Sequence, residues 1–308
     1  MKEEYKDDRF YIDKINQLRK EKRAVILAHN YQRGEVQDVA DLSGDSLELS
    51  RKAAKTDAEV IVFCGVNFMA ESAAILSPGK VVLIPVPEAG CPLAEMITIK
   101  ALKAKKREYP EAAVVCYVNS SAEIKAESDI CCTSTNALQV VNSLKEDRVI
   151  FIPDENLGRY VATQTDKDII FWKGFCPTHY LVLPEDIVKA KEKHPRAKVV
   201  VHPECRLDVI MLADEVLSTG GIVKYARETE IREIIVGTEI GLVYRLQKEN
   251  PTKKFYLATE KLICPNMKLT TLEKVAFALE KIEHRIIVPE EVRLKAKRSL
   301  DRMLEVSS

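Results

Sequence analysis

The chain alternates short apolar runs with amphipathic stretches, which is the pattern of an α/β protein. Nine apolar runs have strand length and lack polar alternation, as expected for parallel strands covered by helices on both faces. They lie at 24–30, 58–65, 80–86, 112–119, 128–134, 147–154, 197–204, 214–219 and 232–239. Apolar residues at helical spacing predict helices at 66–76 and 270–282. Thr270 and Glu273 have the spacing of a capping box for the second helix.

The predicted strands fall into three sets of similar spacing. The first strands of the sets are centred near Ile26, Val114 and Val199, which are 88 and 85 residues apart. A fixed period of this size predicts three related α/β units. We expect the first unit to insert residues 31–57 between its first two strands, and the other units to have an extra helix and strand. The predicted domains are 1–108, 109–194 and 195–284, with a helix at 285–308 packed on the first domain.

Charge and apolar content argue against a nucleic-acid-binding, membrane or secreted protein. Lys+Arg and Asp+Glu both number 47 in 308 residues, so the formal net charge is zero. This balance gives no electrostatic reason to expect a nucleic acid or an anionic membrane as partner. The charged start has no apolar signal region, and the longest apolar runs are too short to span a bilayer. We therefore expect a soluble cytoplasmic protein.

Three of the eight cysteines are followed directly by proline. They are Cys91, Cys176 and Cys264, which lie 85 and 88 residues apart, one in each repeat. Eight cysteines and 13 prolines would give about a third of one such pair by chance. Proline fixes the backbone after the cysteine and removes a competing N–H donor. A single cysteine is usually a small buried hydrophobic residue. The recurrence of Cys-Pro instead predicts that the three cysteines have a common function.

Three thiolates, one from each unit, predict a metal centre on a pseudo-threefold axis. An iron–sulfur cubane usually takes four cysteines, so three would leave one iron open as a Lewis acid for substrate oxygens. A structural zinc held by the three cysteines and His179 remains an alternative, because His179 closely follows Cys176. In that case the chain would be a zinc protein or a redox-sensing binding module rather than an enzyme.

Polar residues follow the first strand of each unit. They are His29 and Tyr31, Tyr117 and Asn119, and His202 and Glu204. In parallel α/β sheets ligands bind beyond the carboxyl ends of the strands, so these groups should meet at one rim. Imidazole suits acid–base work near neutral pH. We interpret His29, His179 and His202 as members of one site, and His194 and His284 as surface residues.

Small hydroxyl residues precede a helical stretch at three further points. These are "GDS" (44–46), "TSTN" (133–136) and "STGG" (218–221). A helix N-terminus with a Ser or Thr suits phosphate or carboxylate, although each could equally be an ordinary helix cap. No GxGxxG or Walker loop occurs in the chain, so nucleotide binding is not indicated.

Together these residues resemble the quinolinate synthase family, the iron–sulfur enzymes of NAD biosynthesis. The stretches that carry the resemblance are "AHNYQRGEVQDVADLSGDSLELS", "GVNFMAESAAILSPGKVVLIP", "EAGCPLAEMI", "VCYVNSSAEIKAESDICCTSTNA", "WKGFCPTH", "VVHPEC", "LSTGGIVKYA", "GTEIGLVYRL" and "CPNMKLTTLEKV". They cover nearly the whole chain in the family's order, which is far more specific than any single motif.

The resemblance implies a fold, a cofactor and a reaction. It implies three homologous αβα domains around a central active-site cavity. It implies a [4Fe–4S] cluster on Cys91, Cys176 and Cys264, with one iron open to substrate. The implied transferase condenses iminoaspartate with dihydroxyacetone phosphate to quinolinate, phosphate and two waters. An aspartate oxidase or dehydrogenase would supply the iminoaspartate.

The resemblance also implies roles for polar residues. The implied substrate-binding residues are His29, Ser46, Tyr117, Asn119, Ser134, His202, Glu204 and Thr219. Tyr31, His202 and Glu204 are the candidates for moving protons. Cys131 and Cys132 receive no role. A hydro-lyase that uses an open-iron cluster on a hydroxy acid remains the alternative enzyme.

Overall fold

The computed structural model describes residues 7–307 and contains three four-stranded parallel sheets. The strands are β1 (Ala24–His29), β2 (Leu42–Gly44), β3 (Val60–Cys64), β4 (Val81–Leu83), β5 (Ala113–Tyr117), β6 (Ile130–Cys132), β7 (Arg148–Ile152), β8 (Asp168–Phe171), β9 (Lys198–Val201), β10 (Glu215–Val216), β11 (Glu233–Gly237) and β12 (Lys254–Leu257).

Sixteen α-helices and one 3-10 turn (Met267–Leu269) are present among the described residues. The helices are α1 (Asp8–Glu21), α2 (Gly34–Val39), α3 (Ser46–Lys55), α4 (Asn67–Leu76), α5 (Pro92–Glu95), α6 (Ile99–Glu108), α7 (Ala122–Ala126), α8 (Ala137–Asn142), α9 (Glu155–Ala162), α10 (Pro177–Tyr180), α11 (Pro184–Lys193), α12 (Leu207–Ile210), α13 (Thr219–Glu228), α14 (Gly241–Glu249), α15 (Leu272–Lys281) and α16 (Glu290–Val306). None of the helices in this part of the chain has the length and apolar content needed to cross a membrane.

The three sheets share one strand order. The orders are β2-β1-β3-β4, β6-β5-β7-β8 and β10-β9-β11-β12, and every pairing is parallel. The first strand of each unit is therefore an inner strand, between the second and the third. All residues of β3 and β5 are buried, because helices cover both faces of each sheet. The predicted α/β class with three αβα domains is confirmed.

The predicted difference between the units was wrong. Residues 31–57 are not an insertion, because they contain β2, the counterpart of β6 and β10. Likewise β8 and β12 are not extra strands, since they occupy the edge position that β4 occupies in the first sheet. The three units are thus closer copies than the sequence pattern indicated. The boundaries at 108/109 and 194/195 stay a prediction.

Helix α15 covers the first sheet although the predicted bounds 195–284 place it in the third domain. Leu272 and Val275 of α15 pack with Ile15 of α1 against Ile26 of β1 and Val62 of β3. The chain then runs beside β4, where Leu83 and Arg285 form an isolated antiparallel bridge. The boundary at 284 therefore does not follow the packing of this segment.

The C-terminal helix also docks elsewhere than predicted. The segment 285–308 was expected on the first domain, but α16 packs mainly against α7 and β6 of the second sheet and also touches α4. Ser299 Oγ donates to the backbone oxygen of Lys125 at 2.8 Å, and Cys131 Sγ lies 3.3 Å from Ser299 Oγ. Arg302 donates to the backbone oxygen of Asp129.

The N-cap of α15 lies one residue later than the capping-box pattern indicated. Thr271 caps the helix, since its side chain accepts from the backbone N–H of Lys274. Thr270 is fully buried, and its hydroxyl has no hydrogen-bond partner among the described residues.

Replacing the two threonines should therefore change the free energy of unfolding differently. We expect Thr271→Ala to lower the free energy of unfolding by about 0.5–2 kcal/mol, because the first turn of α15 loses its cap. Thr270→Val keeps the shape and removes an unpaired hydroxyl, so it should be neutral or slightly stabilising. Urea unfolding of both variants measures this. A larger loss in Thr270→Val than in Thr271→Ala would contradict the observed cap.

Candidate active site

The carboxyl ends of the three sheets surround one cavity. All twelve site residues predicted from the sequence line it: His29, Tyr31, Ser46, Cys91, Tyr117, Asn119, Ser134, Cys176, His202, Glu204, Thr219 and Cys264. They come from equivalent points of the repeat, because each sheet contributes the end of its first strand, the start of the helix after its second, and a loop after its fourth. Residues far apart in the chain thus meet on one axis.

Each Cys-Pro step sits at the start of a turn that points backbone N–H groups at the sulfur. Pro92 and Pro177 are the first residues of α5 and α10, where a missing N–H costs nothing. The N–H groups three residues after the cysteines face the sulfur atoms; they belong to Ala94, His179 and Met267. The contact between sulfur and N–H recurs in all three loops, although Pro265 precedes the 3-10 turn Met267–Leu269 and does not begin an α-helix.

The eight cysteines divide into two groups. The three that precede proline are partly exposed in the cavity. The other five are fully buried; they are Cys64, Cys116, Cys131, Cys132 and Cys205. Burial raises the pKa of Cys91 to about 12 and also raises the pKa of Cys176 and Cys264. In the metal-free chain these are neutral thiols, and binding a metal would release their protons.

Glu204 is the centre of a buried hydrogen-bond network. Its Oε2 accepts from His179 Nδ1 at 2.8 Å, and its Oε1 accepts from Asn119 Nδ2 at 3.3 Å. The Tyr117 hydroxyl also hydrogen-bonds to the carboxylate. Burial by itself would raise the pKa of Glu204, but His179 and then His202 outweigh it and lower the pKa to about 2. The carboxylate is therefore ionised at neutral pH.

Tyr31 is linked to this network through His179. The Tyr31 hydroxyl lies 2.6 Å from Thr238 Oγ1 and 3.3 Å from His179 Nε2. His179 Nε2 is also 2.9 Å from Thr238 Oγ1. Burial, followed by the charge of Glu204, raises the pKa of Tyr31 well above its usual value. The phenol is therefore protonated, and its path to Glu204 runs through the imidazole ring of His179.

His29 and His202 have the same orientation in the first and third domains. Nδ1 of His29 accepts the backbone N–H of Tyr31, and Nδ1 of His202 accepts that of Glu204, both at 3.2 Å. The proton of each neutral ring is therefore on Nε2, and His202 Nε2 lies 3.2 Å from Ser134 Oγ. Burial lowers the pKa of both histidines to about 3. Both rings are neutral N–H donors.

The hydroxyl residues of the cavity are not themselves the helix caps. Asp45 caps α3 and Ser218 caps α13, so the neighbouring Ser46 and Thr219 are free of that role. Thr219 Oγ1 instead accepts from Asn30 Nδ2 at 3.0 Å. The helix caps of α3 and α13 are therefore Asp45 and Ser218, which are the neighbours of the predicted site residues Ser46 and Thr219.

One side of the cavity is closed by contacts between domains. Thr135 of the second domain donates from Oγ1 to Asp45 Oδ2 at 2.6 Å, and its Oγ1 lies 2.8 Å from Ser218 Oγ. These three residues adjoin the three cavity hydroxyls. The wall on this side therefore depends on one contribution from each domain.

A sequence model of the family described as Quinolinate synthetase A protein matches residues 13–305. This chain belongs to the quinolinate synthase family. A quinolinate synthase of Dehalococcoides mccartyi (strain CBDB1) is 60% identical over 293 residues, which cover 95% of this chain and 97% of the relative. Quinolinate synthase 1 of Methanosarcina acetivorans is 57% identical, covering 96% and 97%. The quinolinate synthase of Alkaliphilus metalliredigens is 56% identical, covering 96% and 98%.

The family membership expected from the sequence is confirmed, whereas the roles of the individual residues stay predictions. Sequence reasoning missed three residues of the site network: His179 as the partner of Glu204, Thr238 as the partner of Tyr31, and Asn266 in the cavity lining. His179 was predicted as one of three site histidines and as a possible zinc ligand, but not as the partner of Glu204. Its position in "CPTH" and the position of Thr238 near the end of the predicted strand 232–239 were signals. Neither signal shows which side chain the residue contacts.

One group of side chains fits a single metal ion as well. A sulfur, a nitrogen and an oxygen of Cys176, His179 and Glu204 all lie within 4.8 Å of one another. In the metal-free chain they are joined by hydrogen bonds, since His179 Nδ1 is 3.2 Å from the sulfur and 2.8 Å from the carboxylate. This ligand set differs from the predicted zinc site on the three cysteines and His179, and metal analysis below addresses both.

The buried neutral state of His29 predicts a pH dependence of stability. The pKa of His29 is about 3 in the folded chain, whereas its ordinary value, expected in the unfolded chain, is 6.5. As the pH falls, the unfolded chain therefore binds a proton at a higher pH than the folded chain does. The free energy of unfolding of the metal-free protein should therefore decrease below pH 6.5, by up to about 1.4 kcal/mol per pH unit. His29→Asn should weaken this dependence.

Urea unfolding at pH 7.5 and 5.5 measures the effect. The control is His194→Asn, because His194 stacks on Tyr256 outside the cavity. An equal pH dependence in His29→Asn and the unchanged protein would show that His29 is not held neutral by burial.

Proposed function

We propose that this chain is a quinolinate synthase that condenses iminoaspartate with dihydroxyacetone phosphate, as a transferase of NAD biosynthesis. The products are quinolinate, phosphate and two waters. The observation that carries the proposal is the meeting of three Cys-Pro cysteines, one from each domain, in the cavity that also holds nine predicted polar residues. The family membership adds independent support.

The donor set of the cavity suits an iron–sulfur cluster. Cys91, Cys176 and Cys264 are partly exposed to the same space, and a backbone N–H group faces each sulfur. Hydrogen bonds of this kind stabilise thiolates on a cluster. When bound, a [4Fe–4S] cluster with only three cysteine ligands supplies a Lewis-acidic iron that polarises substrate oxygens.

The polar groups of the cavity suit two anionic substrates. The rings of His29 and His202 present N–H donors without carrying a charge of their own. Ser46 and Thr219 are the first residues of α3 and α13, so their hydroxyls lie at the positive dipole ends of helices, which favour phosphate or carboxylate. A chain of zero net charge can thus hold anions through local donors. We assign Tyr117, Asn119 and Ser134 to substrate binding as well.

Tyr31, His202 and Glu204 are the proposed groups for moving protons. Tyr31 holds a proton at its hydroxyl, and the ionised Glu204 can accept one. His179 joins the two. Its Nε2 lies 3.3 Å from the Tyr31 hydroxyl, and its Nδ1 lies 2.8 Å from the Glu204 carboxylate. Imine formation and dehydration both require such proton transfers. Iminoaspartate hydrolyses readily, so exclusion of water from the cavity during the reaction would protect it.

The lability of iminoaspartate implies a nearby source. We propose an aspartate oxidase or dehydrogenase as the supplier, since either would produce the imine from aspartate. An assay therefore needs such an enzyme present to form iminoaspartate continuously. Quinolinate and phosphate released in equal amounts would support the proposal over a hydro-lyase, which would not consume dihydroxyacetone phosphate.

Metal analysis separates the proposed cluster from the zinc alternative. The cluster predicts about four iron and four sulfide per chain after anaerobic purification. A zinc site predicts about one zinc and no sulfide, whether its ligands are the three cysteines with His179 or the group Cys176, His179 and Glu204.

Two cysteines of the second domain give a matched test of the ligand set. We expect Cys176→Ala to abolish iron and sulfide binding, because the cavity loses one of three sulfur ligands. Cys116→Ala should retain both, since Cys116 is fully buried in β5 outside the cavity. Iron and sulfide counts decide the outcome. Equal loss in the two variants would show that the wrong cysteines were assigned.

Removing the Tyr31 hydroxyl should separate cluster binding from chemistry. We expect Tyr31→Phe to keep its iron and sulfide and to lose about 100-fold or more in turnover, the usual effect of losing a proton-transfer group. Tyr256→Phe is the control, because Tyr256 stacks on His194 away from the cavity. Turnover of Tyr31→Phe close to that of the control would remove Tyr31 from the mechanism.

A further inference from the structure

Two buried acidic residues occupy equivalent places behind the cysteine loops. Asp154 is the second residue after β7, and Glu239 is the second residue after β11. Both side chains are fully buried. Neither lines the cavity, so neither is part of the substrate-binding set. A buried carboxyl group needs hydrogen-bond donors. The donors of these two groups show which segments of the chain each one fixes in place.

Asp154 joins a helix to the Cys176 loop. Its Oδ1 accepts from the backbone N–H of Leu157 at 2.7 Å and so caps α9. Its Oδ2 accepts from the backbone N–H of Cys176 at 3.2 Å. Next to it, the N–H of Glu155 donates to the backbone oxygen of Gly174 at 2.7 Å. The carboxyl group therefore fixes the cysteine backbone to the end of the sheet.

Glu239 does the same for the Cys264 loop. Its Oε2 accepts from the backbone N–H of Gly241, the first residue of α14, at 2.7 Å. Its Oε1 accepts from the backbone N–H of Cys264 at 3.1 Å. Lys268 pairs with this carboxylate at 2.9 Å and also donates to the backbone oxygen of Tyr31. Glu239 is thus tied to both the cysteine loop and the first domain.

The first domain lacks this device. Its residue at the equivalent place, two after β3, is Val66, whose side chain cannot accept a hydrogen bond. The backbone contact is nevertheless present, since the N–H of Asn67 donates to the oxygen of Ala89 at 2.8 Å. The loops therefore share a backbone frame, and within residues 7–307 only the Cys176 and Cys264 loops have a carboxyl group that accepts from the cysteine N–H.

We propose that Asp154 and Glu239 are positioning residues that hold Cys176 and Cys264 in their ligand geometry before any metal binds, whereas Cys91 has no such support. The part of this proposal that concerns cluster retention rests on the proposed function. The part that concerns the loops does not, because both hydrogen bonds join groups of the protein itself. Groups that orient metal ligands typically change metal affinity by about 10–100-fold when removed.

Thiol reactivity in the metal-stripped protein tests the loops directly. The variants are Asp154→Asn and Glu239→Gln, and the reagent is iodoacetamide, with each cysteine followed by mass spectrometry. We expect Asp154→Asn to speed alkylation of Cys176 about tenfold, because the loop opens when the N–H loses a strong acceptor. Glu239→Gln should speed alkylation of Cys264 similarly. The alkylation rate of Cys91 should change in neither variant.

Matched controls come from carboxylates at the opposite ends of the same sheets. Asp129 accepts from the N–H of Val114, and Asp214 accepts from the N–H of Val199, both at 2.8 Å. Asp129→Asn and Asp214→Asn therefore also remove a carboxylate acceptor of a backbone N–H. They should leave all three alkylation rates unchanged. If Asp154→Asn does not fold, Glu239→Gln with its control Asp214→Asn carries the test alone.

Iron release from the cluster-loaded protein to a chelator gives the second readout. We expect release about 10–100-fold faster in Asp154→Asn and Glu239→Gln than in the controls. If the unchanged protein holds no iron and sulfide, the proposed function fails, while the alkylation rates still decide the positioning role. If the cluster is present but the variants match their controls in both readouts, the positioning role is wrong. Equal acceleration at all three cysteines would mean general loosening and would also overturn it.

Discussion

A carboxylate removed from water has to be compensated, and the compensation of Glu204 joins all three domains. Glu204 belongs to the third unit, and its partners His179 and Asn119 belong to the second. His179 in turn contacts the Tyr31 hydroxyl of the first. The charge is therefore compensated between the second and third units, and His179 extends the same network to the first unit. The network fixes the relative positions of Glu204, His179 and Tyr31.

The position of the site could be predicted because parallel sheets concentrate function at one edge. His29, Tyr117 and His202 end or directly follow inner strands that have clear apolar runs, so their common location followed from the pattern. The edge strands β2, β8 and β12 were harder to predict, since they are short or partly exposed. The partners His179 and Thr238 could not be derived, because contacts across domains depend on three-dimensional orientation.

The docking of the terminal helices shows a second limit of sequence patterns. An amphipathic stripe identifies the face of a helix that will be buried, but every sheet in this chain offers a similar apolar surface. The stripe of α15 was correctly predicted, yet α15 covers the first sheet and not the sheet that precedes it in the chain. For α16 the predicted domain was wrong for the same reason. At Thr270 and Thr271, two adjacent hydroxyls both resemble a cap, and only the backbone shows which one acts.

The docking of α16 has a consequence for how the protein is made. This helix begins far along the chain from α7 and β6, and it buries Ser299, Leu300 and Met303 against those earlier elements. During translation the surface of α7 and β6 therefore lacks its cover until α16 has emerged from the ribosome. A nascent chain held before that point would expose an apolar face of the kind that chaperones recognise.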